Sequence, residues 1–374
     1  MPRLRLLPWV AAMACGLATS ANAQSPTLRA TDAPAIAAAK ARAAEAFAIR
    51  DRNGIDEEQF VPINGADQWV TIRGRDRANP VILVVGGLGF DGPGAVASPF
   101  LGAFQGWEPY FTVVQWDMRG TGKTFVKANR TLDPDLGVDL IARDALALTE
   151  TLRGKLGKRR IVLLGVGFGS TVAARLVRDH PELFCAYVAA GQIADRRIVR
   201  ETTAVAYVHA MAKAKGDSAA LAALDVAGPD PFADTPNDPK KIDAWTRGST
   251  PFRPREPGDQ RRDILSAPHW TVIDTFTIRL GEDASAAKFG KAWGENYDYA
   301  GLRGAYRVPV FLIQGDNDFN APLSLSKAWL DKVRAPSKSV TVIPGAGDHA
   351  IQTDPDAFVR VLRDQVRPIA IKKN

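Results

Sequence analysis

The stretch RIVLLGVGFGSTVAARLVRDHPE, Arg160 to Glu182, constrains the fold more than any other part of the chain. An apolar run, Ile161 to Leu164, ends in Gly165-Val166-Gly167-Phe168-Gly169, and the next apolar positions, Val172, Ala173, Leu176 and Val177, recur at helical spacing. That order predicts a buried strand, a tight turn and a helix. Glycine at the first, third and fifth positions of such a turn is the frame that seats a nucleophile, normally a serine at the centre, at the top of a parallel sheet. Here the centre is Gly167. Glycine has no side chain with which to attack a carbonyl.

The rest of the chain alternates in the same way. Gln59 to Ile63 and Gln68 to Arg73 read as two strands joined by a turn at Asn64-Gly65-Ala66-Asp67. Val81 to Val85 is apolar throughout, as a strand buried on both faces must be, and Phe111 to Trp116 reads as another buried strand. A helix is predicted over Leu136 to Leu156, because Ile141, Ala145, Leu148 and Leu152 share one face. After the opening stretch comes a strand from Phe184 to Ala190. From Ile193 to Leu302 the alternation stops, and helical segments, a proline-rich connector and several aromatics predict an inserted helical cap. It resumes with Val308 to Gln314, a helix from Leu323 to Val333, a strand from Ser339 to Ile343 and a closing helix from Asp356 to Val366. Strands alternating with helices over short connections predict an α/β fold, a mostly parallel sheet covered on both faces.

At 374 residues and 46% hydrophobic, the chain can bury one large core plus an insertion. The 48 Lys plus Arg are scattered among 41 Asp plus Glu, so no patch for nucleic acid is expected. Arg3 and Arg5, an apolar stretch from Leu6 to Leu17 and the small-residue site Ala21-Asn22-Ala23 read as a leader covering residues 1–23. Export to the periplasm or beyond follows from that reading. The apolar stretch is too short to favour a stable span, and Ala12 stands where a lipid anchor through Cys15 would need a bulky aliphatic residue. The domain plan is then core 24–192 after an alanine-rich segment, cap 193–302 and core 303–374. Cys185, within an apolar strand, reads as a packed residue. No signal for an oligomeric state is visible.

Serine hydrolysis on such a sheet needs a nucleophile, backbone donors for an oxyanion, a histidine base and an acid that orients it. Asp318, in Gly315-Asp316-Asn317-Asp318, follows a strand and is the candidate acid, with Asp316 as competitor; either can equally cap the helix near Pro322. His349, in Gly345-Ala346-Gly347-Asp348-His349, is the one histidine in the loop after the last strand. Gly86, Gly87 and Leu88, together with the N–H of Phe168, form the candidate donor and substrate-contact station. Asp117 and Arg119 read as a structural ion pair or cap. Ser170 lies one helical turn beyond Gly167, facing away from it, and is not expected to replace it.

The blocks FVPINGADQWVTIRGRDRANPVIL, WDMRGTGKT, LLGVGFGS, AYVAAGQ and QGDNDFNAP, in this order, resemble α/β-hydrolases of the prolyl aminopeptidase (proline iminopeptidase) type over nearly all of the mature length. The resemblance implies the α/β-hydrolase fold with a helical cap, removal of an N-terminal proline or similar residue from short peptides, and no metal or cofactor. It places the family's His-Gly-Gly-Pro-Gly loop on Val85-Gly86-Gly87-Leu88-Gly89, its nucleophile on Gly167 and its acid on Asp318. Its base falls on Asp348, with His349 one place later. The expectation is a protein that keeps a capped pocket for a small molecule or short peptide and has lost acyl-enzyme chemistry. The alternatives are an enzyme that uses His349, oriented by Asp318 or Asp348, as a general base, and hydrolysis by a nucleophile elsewhere.

Overall fold

The structure, a computed structural model, describes residues 33–86, 104–195, 297–316, 318, 320–347 and 350–373, with isolated positions between 198 and 288. The leader, residues 87–103 and most of the segment read as a cap lie outside the described residues.

Eight strands form one sheet: β1 (Ile55–Ile63), β2 (Ala66–Gly74), β3 (Val81–Val85), β4 (Thr112–Trp116), β5 (Ile161–Val166), β6 (Phe184–Ala190), β8 (Val310–Gly315) and β10 (Lys338–Ile343). Their order is β1-β2-β4-β3-β5-β6-β8-β10. β2 is antiparallel to both neighbours, and from β4 onward every pairing is parallel. A separate parallel pair, β7 (Gly304–Ala305) with β9 (Val333–Arg334), has no counterpart in the sequence reading.

The β1–β2 turn is shorter than expected. Ile63 pairs with Ala66, which leaves Asn64-Gly65 alone as the loop, with φ 45° and 81°. Positive φ at both central residues is the primed turn that matches strand twist, and Asn-Gly adopts it at low cost. Ala66 and Asp67 therefore join the ladder.

The continuous apolar runs are explained by two cores. Along β3, Val81, Leu83 and Val85 pack on one face with helices α3 (Val138–Leu156) and α4 (Phe168–Asp179), while Ile82 and Val84 pack on the other. That second face is closed by Phe104, Trp107 and the C-terminal helices, where Phe358 stacks on Trp107 at 5.3 Å. Period-two alternation is thus present but invisible in the sequence, since both faces need apolar residues. The closing helix is also longer than expected. It opens at Pro355, where the Asp354 carboxylate accepts the Ala357 N–H at 2.8 Å, and continues through a π turn at Leu362–Val366 to Lys373.

From β3 the chain steps outward to β4, then crosses back to place β5 on the other side of β3. In open α/β sheets a ligand site forms beyond the carboxyl ends of strands at such a reversal. The residues just past those ends here are Gly86 and Gly167.

Candidate active site

The bend after β5 is built by close approach of backbone to backbone. A Cβ on Gly169 would sit 1.9 Å from the Val85 carbonyl oxygen, and one on Gly165 would sit 2.6 Å from the Ser170 Cα. One on Gly86 would lie 2.3 Å from the Val166 carbonyl oxygen. Real Cβ contacts are not that short, so these three positions are glycine by packing. Gly167 differs from them. Its φ of 51° and ψ of −119° lie outside the regions that side chains favour, yet no described heavy atom comes within 4 Å of where its Cβ would be.

Gly167 is fixed at both ends. Its N–H donates to the Ala190 carbonyl at 3.0 Å and its carbonyl accepts from the Ser170 N–H at 2.9 Å. It is half-buried between runs of buried residues on either side. The neighbouring Phe168 begins α4 with its side chain buried in the core, so only its main chain can serve a ligand above the bend. Gly86 directly follows β3 and packs against Val166 and Gly169, while Gly87 and Leu88 lie outside the described residues.

Ser170 is fully buried, and its Oγ accepts the Ile193 N–H at 2.9 Å. It forms part of a polar knot in which the Tyr187 hydroxyl donates to Gln192 Oε1 at 2.7 Å and the Ser326 hydroxyl donates to the Gln192 carbonyl at 2.9 Å. The knot ties α4, β6 and helix α5 (Leu323–Lys332) to the first residues beyond β6. Ser170 is therefore a tether, in agreement with the expectation that it does not stand in for a nucleophile.

The two acidic candidates separate by environment. Asp318 is buried beyond the end of β8, and its Oδ1 accepts the Ala321 N–H at 2.8 Å while Gln314 Nε2 donates to the Ala321 carbonyl. It thus stabilises the turn that precedes α5 with one oxygen but does not cap that helix, whose N-cap Pro322 receives no side-chain bond. Its Oδ2 faces Gly191: a Cβ there would lie 3.3 Å from that oxygen and 3.8 Å from the Gly167 nitrogen. Acid and bend therefore share one stretch of the sheet's carboxyl edge. Asp316 is exposed and accepts the Gly345 N–H at 2.6 Å, so it joins the loop after β8 to the loop after β10. A Cβ on Gly315 would meet the Ala346 carbonyl oxygen at 1.9 Å, which shows how closely those loops are packed. Asp348 and His349, next along, lie outside the described residues. Sequence reasoning missed the positions of Gly191 and of the Asp316 tether. A glycine directly after a fully apolar strand was the available signal for the first.

Asp117 and Arg119 do not pair with each other. The buried Asp117 carboxylate accepts the Lys123 N–H at 2.8 Å and so caps helix α2 (Gly122–Lys127), a short element absent from the sequence reading. Arg119 instead meets Asp144 at 2.5 Å and Asp133 at 3.1 Å. Asn64 and Gln68 also donate to Asp144, at 2.9 and 2.7 Å. Every partner needed by that fully buried carboxylate is supplied. Two side chains from the region read as a cap reach this part of the core: the buried Ser285 hydroxyl donates to the Gly120 carbonyl at 2.8 Å and Lys288 Nζ to the Asp133 carbonyl at 2.8 Å. Cys185 is buried in β6 as expected, and burial pushes its thiol pKa up to about 12. Among the described residues no cluster of His, Cys, Asp and Glu is placed to hold a metal ion, and no helix is long and apolar enough to cross a membrane.

A reversed sheet order, a bend with positive φ after β5 and an acid beyond β8 form one arrangement, and a model of the alpha/beta hydrolase family matches residues 81–361. The chain belongs to the α/β-hydrolase family. Within this family it is 23% identical over 329 residues to a probable aminopeptidase, YbaC, of Bacillus subtilis, with 85% of this chain and 99% of that protein covered. It is 26% identical over 306 residues to a probable proline iminopeptidase of Streptomyces coelicolor, covering 78% of this chain and 88% of the relative. Among solved structures, the proline iminopeptidase of Mycobacterium smegmatis superposes with a TM-score of 0.61 at 18% identity, covering 85% of this chain and 100% of the other. A membrane phospholipase A superposes at 0.58 with 14% identity, covering 92% and 93%. At those identities the structural likenesses show the α/β-hydrolase fold alone.

Proposed function

We propose that this α/β-hydrolase is an exported protein that holds a short peptide or other small amphipathic ligand beneath a helical cap and forms no acyl-enzyme. The observation that carries the reading is Gly167, which occupies the centre of the bend and supplies no nucleophilic atom. The buried Ser170 hydroxyl, held by Ile193, does not replace it. Aminopeptidase relatives that align over most of the chain support a peptide as ligand, and the leader-like residues 1–23 support export. The test is a fluorophosphonate probe on the purified protein. Absence of labelling is expected, and an adduct on any residue at the bend overturns the proposal.

A second reading has its own support, since Asp316 and Gly315 hold the loop that leads to Asp348 and His349 against the loop that carries Asp318. On this reading His349, oriented by Asp318, acts as general base on water or on a substrate proton, and hydrolysis, elimination or isomerisation proceeds without a serine. Turnover of a proline aryl-amide that is abolished in His349→Ala and unchanged in Ser170→Ala would favour it. Absence of turnover in the wild-type protein removes its hydrolytic form.

A further inference from the structure

The described sheet ends in two edge strands, β1 and β10, and they are built differently. An open edge offers main-chain donors and acceptors to any other strand, and proteins blunt it with charges and proline. β1 carries Asp56, Glu57 and Glu58 in succession and Pro62 near its end. β10 reads Lys338-Ser339-Val340-Thr341-Val342-Ile343, and its one charged group, the Lys338 ammonium, is turned back onto the Leu330 and Val333 carbonyls at 2.8 and 2.9 Å. Val340, in the middle of the strand, is 38% exposed.

The ladder with β8 fixes which groups of β10 face outward. Val310 donates its N–H to the Ser337 carbonyl at 3.0 Å, and Lys338 stands opposite Val310. In a parallel ladder the residues that bond one neighbour alternate with residues that face away from it. Ser337, Ser339 and Thr341 therefore serve β8, while Lys338, Val340 and Val342 present their N–H and C=O groups to the outer side. Pro336 and Pro344 bound that run, and proline has no N–H to give.

We propose that β10 pairs antiparallel with β10 of a second copy of this chain, across a two-fold axis at Val340, so that two sheets become one. Because side chains alternate in face along a strand, an axis perpendicular to the sheet requires one residue to stand opposite itself. With Val340 on the axis, Lys338 stands opposite Val342 of the second copy, and every outward residue exchanges both main-chain bonds. A register centred on Ser339 sets Pro336 against Val342, and one centred on Thr341 sets Pro344 against Lys338, so each loses bonds. The Val340 register also lays the exposed valines side by side. It brings the end of one strand that follows exposed Arg334 alongside the end of the other, where the exposed Asp316 carboxylate holds Gly345. The charges at the two ends are thus complementary.

Light scattering on the wild-type protein at about 100 μM tests the pairing. A dimer is expected, and a monomer overturns the proposal. So does growth into larger species, the mark of a contact that does not close, such as β1 against β10. Val340→Pro removes an outward N–H and none that β8 uses, so it is expected to give a monomer that melts within a few degrees of wild type. Thr341→Pro takes a bond from the β8 ladder and is expected to lower the melting temperature instead. A dimer that persists in Val340→Pro overturns the proposal. Should that variant not fold, Val340→Lys, which sets like charges face to face on the axis, is read in the same way. The register has its own readout. Val340→Cys is expected to form a disulfide between copies under mild oxidation, since the Cα atoms of a hydrogen-bonded antiparallel pair lie about 5.5 Å apart. In Val342→Cys the two thiols are four residues out of step, about 13 Å, and no link is expected. Failure of Val340→Cys to link, or equal linking in both variants, rejects the two-fold at Val340.

Discussion

Asp316 Oδ1 accepts a hydrogen bond from the Gly345 N–H at 2.6 Å, joining two loops 29 residues apart in the chain. A charge-assisted bond of this kind is worth about 1.5–3 kcal/mol when buried and less at an exposed site. Asp316→Ala is therefore expected to destabilise the protein by about 1 kcal/mol and to speed amide exchange at Gly345. Asp316→Asn, which keeps an acceptor oxygen, should retain part of the protection. Hydrogen exchange resolved to the 343–350 peptide checks both.

The glycines of the bend should rank by what a Cβ would strike. Gly167→Ala adds a methyl that meets none of the described neighbours within 4 Å and carries the conformational penalty, about 1–3 kcal/mol. Gly169→Ala and Gly165→Ala drive a methyl into backbone at 1.9 and 2.6 Å and should cost more than that, to the point of preventing folding in the Gly169 case. Urea denaturation of the three variants gives the order.

Asp144 faces Arg119, Asn64 and Gln68 with no exposure of its own. Asp144→Ala removes the buried counter-ion of Arg119, leaves it only the partly exposed Asp133 and two backbone carbonyls, and is expected to cost about 3 kcal/mol. The double change Asp144→Leu with Arg119→Met removes both charges and should cost clearly less than Asp144→Ala alone. Thermal melts of the two variants test this.

Cys185 should resist thiol reagents while the protein is folded. Burial raises its pKa from 9.0 to about 12, so the thiolate is scarce at pH 8 as well as inaccessible. Because the folded value lies above the unfolded one, the contribution to stability is complete below pH 9 and is lost as pH climbs from there towards 12. Ellman's reagent is expected to find no reactive thiol at Cys185 before denaturation. Cys185→Ala should flatten the alkaline fall in stability.

The core strands were legible because burial on both faces demands unbroken apolar runs: Val81 to Val85 and Phe184 to Ala190 appear with the limits read from sequence. Short elements were not. Helix Gly122–Lys127 is held by the Asp117 cap and packing, and β7 and β9 are two residues each, too short for any periodicity to register. At the site, the bend and the acid position were readable from glycine spacing and from the strand before Asp318. The partner of Arg119 was not, because Asp144 lies 25 residues away on a helix whose apolar face masks one buried charge. Similarly, nothing local separates Asp316 from Asp318. Only the tertiary contact with Gly345 does so.

The bond from Ile193 to the Ser170 hydroxyl has an evolutionary corollary. On the proposed reading the alcohol next along the chain is no substitute for a nucleophile, because it anchors the segment that leaves the sheet, and withdrawing it would undo the knot with Gln192 and Tyr187. On that reading, acquiring covalent turnover requires a mutation at residue 167 itself, and sequences descended from this one should show change there with no detour through residue 170.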